Sequence, residues 1–250
     1  MTSRARAATQ KNRSPVRRGF AAEFRRMRGA SLPWVFLPLA LLSALSLVLS
    51  SPPGLRAAPG TVIETFGAEL SASAFSGLIV ISAVLGALGV TLADRTGVLA
   101  REQVFGASAV VFGARAVSTV LTSLVSGAVG ILIVEVAFRA ISGAQLLTLP
   151  DAVRTAVALA GAGLWGFLIG VLVRSPILVL FVVPATLMPA LLLADIAPAV
   201  ADVLPMQALL SSAGLSDGGL WGGGAAAVMT SWVLVLALVA AFVVRRRDRL

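Results

Sequence analysis

Six stretches of this chain run for about twenty residues or more without one charged side chain, and no other feature limits the fold so strongly. They span residues 29–55, 70–93, 116–134, 155–173, 175–194 and 218–244. The hydrocarbon core of a bilayer is ~30 Å thick and holds no water to solvate a backbone amide or a charge. A crossing segment therefore needs roughly 20 apolar residues coiled as a helix. One soluble core cannot hide this much apolar surface: 58% of the 250 residues are hydrophobic, 12% are charged, and the mean hydropathy is +0.97. The expected fold is all-α, an integral membrane protein with six transmembrane helices. Their hydrocarbon cores are expected near 34–49, 75–92, 117–135, 156–173, 177–193 and 226–244.

Arginine and lysine resist translocation, so short loops rich in them stay in the cytoplasm. Six spans put both termini on one side. That side receives nine basic residues before the first span, then Arg95, Arg101, Arg115 and Arg174, and the tail residues Arg245, Arg246, Arg247 and Arg249. The other side receives Arg56, Arg139 and Arg154. So lopsided a split predicts both termini cytoplasmic. It also explains the net charge of +9 as a topology signal with some attraction to anionic lipid, rather than as a nucleic-acid surface.

The arginine pair Arg17–Arg18, followed by an apolar run, has the outline of an export signal. However, Glu23, Arg25, Arg26 and Arg28 stand where a signal peptide is already hydrophobic, which predicts an uncleaved segment. Residues 1–16 are expected to be a disordered basic N-terminus, and 17–250 a single transmembrane domain. Phe20, Phe24 and Met27 form an apolar stripe beside Arg17, Arg18, Arg25 and Arg28, the pattern of an amphipathic helix lying on the membrane surface.

Composition excludes several chemistries. The chain has no histidine and no cysteine, so Cys/His zinc sites, thiol nucleophiles and imidazole acid/base catalysis are ruled out. Its one lysine, Lys11, lies in TQKNRS without the glycines of a phosphate-binding loop, and too far from any span for a serine–lysine dyad. No Asp, Glu, Lys or Arg falls deep inside the six expected cores, which argues against a gradient-driven carrier or channel with a charged ion site at mid-membrane. The expectation is a non-enzymatic membrane subunit that binds no cofactor of its own, with a gradient-driven carrier or channel, or a non-enzymatic membrane scaffold, as the alternatives.

Against this background, ADRTGVLAREQ at 93–103 gathers Asp94, Arg95, Arg101 and Glu102 at the cytoplasmic end of the second span. A topology signal needs the arginines alone, whereas both signs of charge together suit a docking surface. The polar insertion from 94 to 115 carries apolar residues at Val98, Val104, Phe105, Val110 and Val111, compatible with short helices.

The order of a basic amphipathic lead-in, two spans, then Asp94, Gly97, Arg101, Gly106, Ala107, Ser108 and Arg115 resembles the permease subunits of ABC-2 type ATP-binding-cassette transporters. The tail VVRRRDRL is similar to theirs as well. The resemblance covers nearly the whole chain in layout, with short motifs. The chain departs from the family at Asp94, where Glu is frequent, and at Ala109, where a basic residue is frequent. The resemblance implies an exporter subunit that works beside a second permease copy or a paired homologous permease. It further implies that Asp94, Arg95, Gly97, Arg101 and Glu102 form a coupling element against a separate ATPase subunit, with ATP bound on that partner. It also implies short re-entrant helices between spans 5 and 6, expected around 198–214, where turn formers alternate with Val203, Leu204, Met206, Leu209 and Leu210. Arginine dominance over lysine and abundant alanine point to the plasma membrane of a high-GC bacterium.

Within the spans, GFLIG sets Gly166 and Gly170 on one helix face, where a second helix can approach closely, either inside the chain or across a dimer. Pro184 and Pro189 should kink the fifth span by removing backbone donors. Glu135 and Arg139, one turn apart, read as an ion pair at the outer membrane interface.

Overall fold

The computed structural model describes residues 32–95, 108–216 and 222–247. Every regular element among them is a helix. α1 is Leu32–Ser50, followed by a 3₁₀ turn at Leu55–Ala57. α2 is Gly60–Arg95, α3 is Ser108–Ser142 and α4 is Leu149–Val173. α5 (Pro176–Leu187) and α6 (Pro189–Leu193) form one broken rod. Two short helices, α7 (Pro198–Ala201) and α8 (Pro205–Ser212), precede the closing helix α9, Gly222–Arg247.

Five helical segments are long and apolar enough to cross a bilayer: Gly60–Arg95, Val110–Ser142, Leu149–Val173, Pro176–Leu193 and Gly223–Val244. α1 carries a shorter apolar stretch, Val35–Ser50, within the described residues. The surface-lying helix expected at 17–28 falls outside the described residues.

Local chemistry explains most of the boundaries. Thr148 caps α4: its hydroxyl accepts the Asp151 amide at 3.4 Å and also pairs with the Asp151 carboxylate, and Pro150 fits the first turn, where no amide donor is needed. Ser175 caps α5 in the same way, accepting the Leu178 amide at 3.4 Å ahead of Pro176. The expected interruption of the fifth span sits at Met188, between Pro184 and Pro189, whose rings leave two carbonyls of the helical ladder without donors. Gly214, at φ 74°, ends α8 with paired bonds from Leu215 to Leu210 (3.0 Å) and from Gly214 to Ser211 (3.1 Å).

Two helices overrun the apolar stretches that announced them. α2 starts at Gly60, not near Leu70, and α3 runs from Ser108 to Ser142, not from Ala116 to Val134. The extra turns carry Glu64, Glu69, Arg115 and Arg139, which hydropathy rejects but a helix accepts. The polar connection expected over 94–115 is correspondingly shorter, because Asp94 and Arg95 end α2, while Arg115 lies inside α3 and is buried.

α4 is the central helix. It packs on α2, α3, α5, α8 and α9, and 72% of its apolar window is buried against 11% in α9, which therefore lies at the edge. The main core joins Phe75, Leu78 and Ile79 of α2, Val134 and Phe138 of α3, Leu159 and Trp165 of α4, and Met206 and Leu209 of α8. Outward faces of α1, α3, α5 and α9 show large side chains such as Leu42, Val125, Phe181 and Leu238, the surface a lipid environment requires.

Candidate functional site

One end of the bundle collects the end of α2, the start of α3, the α4–α5 turn and the end of α9. A small apolar cluster ties them together: Val90 of α2, Phe167, Leu168 and Val171 of α4, and Ala240 of α9, with Phe112 and Ala116 of α3 packed alongside. The Phe112 and Phe167 rings meet at 5.4 Å with a 51° tilt. Above this cluster lie the charges. Arg95 and Arg174 are exposed, whereas Arg115, in the early turns of α3, is buried.

The central contact at this end links Asp94 with Arg174. Arg174 Nε lies 3.3 Å from Asp94 Oδ2, with the side chains 46% and 26% exposed. Arg174 is also the one non-glycine residue at positive φ (59°) among those described, and its amide donates to the Gly170 carbonyl at 2.9 Å to close α4. The turn is two residues long, Arg174 and Ser175, so the chain must reverse through a left-handed residue. Glycine takes that conformation freely, whereas a residue with a Cβ is strained by about 1 kcal/mol. A half-exposed ion pair returns only ~0.2–1 kcal/mol, so stability alone does not account for an arginine here.

The expected coupling residues divide accordingly. Asp94 and Arg95 stand at this end, with Asp94 engaged by its own chain, while Gly97, Arg101 and Glu102 lie outside the described residues. Arg174, which charge counting treats only as a topology marker, is the residue that sequence reasoning missed. Its local signal is weak, a single arginine before Ser-Pro. Nothing in that tripeptide indicates a partner two spans away.

Gly166 and Gly170 meet α2 of the same chain. A Cβ on Gly166 would coincide with the Ala83 carbonyl, and one on Gly170 would stand 2.7 Å from the Ala87 carbonyl oxygen and 2.5 Å from Val90. Gly86 and Gly163 face each other across the same seam, and Ser82 Oγ donates to the Leu159 carbonyl at 2.8 Å. Lipid tails are as apolar as leucine, so helices in a bilayer are held by such close backbone packing and by hydrogen bonds.

At the opposite end, the basic residues are Arg56, beside Gly143, then Arg139 and Arg154. Glu135 ties down the α3–α4 connection, accepting Arg139 Nε at 2.7 Å and the amides of Leu146 (3.2 Å) and Leu147 (3.1 Å). α8 sits within this end of the bundle, with Met206, Ala208, Leu209 and Leu210 buried. Trp232 fastens the segment, its Nε1 donating to the Val203 carbonyl at 2.8 Å; Trp165, edge-on to Trp232 at 6.1 Å, donates to Thr186 Oγ1 of α5 at 3.2 Å.

Comparison with known proteins returns no match among family models, curated proteins or solved structures.

Proposed function

We propose that this chain is the membrane-spanning subunit of an ATP-driven exporter of the ABC-2 permease type. It crosses the plasma membrane of a high-GC bacterium six times, with α1 as the first span and both termini cytoplasmic. A second permease copy, or a homologous permease, completes the pathway, and a separate ATPase subunit drives it through the segment 94–115.

The observation that carries this reading is the union of three features in one chain. Asp94, Arg95 and Arg174 gather at one end of the bundle, where the second and third spans are joined. Two short helices precede the last span, and the longer of them, α8, is buried at the other end, while α7 buries Ala201 alone. Between the two ends, the buried polar side chains among the described residues are serines and threonines, apart from Arg115 near the charged end. A carrier driven by an ion gradient needs an ionisable or coordinating site at mid-membrane, and no carboxylate is buried among the described residues.

The reading is tested in proteoliposomes holding the complex as purified from its native membrane. Export of an amphipathic fluorescent probe should require ATP and stop with vanadate. Export driven by a proton or sodium gradient without ATP would replace this reading with that of a secondary carrier.

A further inference from the structure

We propose that Arg174 is a positioning residue for the end of α2, a proposal that rests on the reading of 94–115 as the coupling segment. Three observations carry it. The α4–α5 turn holds Arg174 at φ 59°, where glycine would be unstrained, so an arginine stands there against the backbone's preference. Its guanidinium crosses to the last turn of α2, Nε to Asp94 Oδ2 at 3.3 Å. The glycine seam between α2 and α4 also stops short of that turn, since its last member, Gly170, reaches Val90, four residues before Asp94.

The ion pair therefore holds the part of α2 that the seam leaves out, the turn from which the chain departs toward residues 96–107. A displacement applied to that segment reaches the α4–α5 hairpin through Asp94 and Arg174. Asp94 then acts as a brace inside the chain rather than as a contact offered to the ATPase. A bare topology signal would explain a positive charge at this turn, but it requires neither a bound carboxylate nor a left-handed arginine.

The chain has no cysteine, so Leu92→Cys, on the last exposed face of α2, carries a single nitroxide label in lipid nanodiscs. Asp94→Asn and Arg174→Gln should each mobilise the label, and the exchange Asp94→Arg with Arg174→Asp, which keeps the charge of this end, should slow it again. Arg174→Gly should mobilise it as well, while leaving the thermal midpoint unchanged or higher because the turn is relaxed. A wild-type line shape in any of the three single variants, or an exchange variant as mobile as the singles, would overturn the proposal. In the complex with its ATPase, Arg174→Gln should lower the substrate exported per ATP hydrolysed at least threefold, and the exchange should restore it. The line shapes read the brace even if no ATPase is found, so failure of the functional reading is told apart from failure of this one.

Discussion

The carbonyl oxygen of Ala83 on α2 occupies the space where a side chain on Gly166 of α4 would begin. That one relationship fixes how closely α2 and α4, the most intimately packed pair among the described residues, approach, and it assigns the glycine motif of α4 to the interior of the chain.

Gly166→Ala should therefore force α2 and α4 apart and destabilise the fold by about 1–3 kcal/mol, the usual cost of overpacking. Gly77→Ala is the control, because nothing lies within 4 Å of a Cβ built there. It should leave stability unchanged or slightly raised, since alanine is the better helix former. Unfolding in mixed micelles measures both; equal effects would contradict the seam.

Glu135 makes a different prediction. Its carboxylate serves two backbone amides of the α3–α4 connection, at 3.2 and 3.1 Å, as well as the 55% exposed Arg139. Glu135→Ala leaves both amides without acceptors and should cost about 1–3 kcal/mol. Arg139→Ala removes only an exposed ion pair and should cost less than ~1 kcal/mol. The same unfolding assay ranks them, and a costlier Arg139→Ala would reverse the assignment.

The apolar runs of the sequence located the long helices because hydropathy reports contact with lipid. It does not report helix as such, which is why the helical but polar turns bearing Glu64 and Glu69 went unrecognised, and why the turn bearing Arg115 was assigned to short helices of the insertion rather than to the third long helix. Two short helices do lie in the stretch expected at 198–214, and each opens at a proline, Pro198 or Pro205, at a position that needs no amide. The spacing of Gly166 and Gly170 was visible locally, but the helix they meet is set by Ala83 and Ala87, on a span read separately. The Asp94–Arg174 pair joins the last turn of α2 to the α4–α5 turn, and its decisive feature, a left-handed arginine, is a property of backbone geometry that no residue type announces.

Topology is open to direct labelling, again because the chain lacks cysteine. With both termini inside, Thr61→Cys and Leu149→Cys, both exposed, should react with a membrane-impermeant maleimide added to intact cells. Arg246→Cys, exposed near the end of α9, should react only after permeabilisation. Labelling of all three from outside would contradict the six-span arrangement.

The central claim is a partnership with an ATPase, and the most direct measurement is gentle purification of the tagged chain from its native membrane, with crosslinking in a parallel sample and mass spectrometry of both. A stoichiometric soluble ATPase with vanadate-sensitive hydrolysis is expected to co-purify, and to be lost when residues 94–102 are scrambled. A preparation without an ATPase in either the native or the crosslinked sample would contradict it.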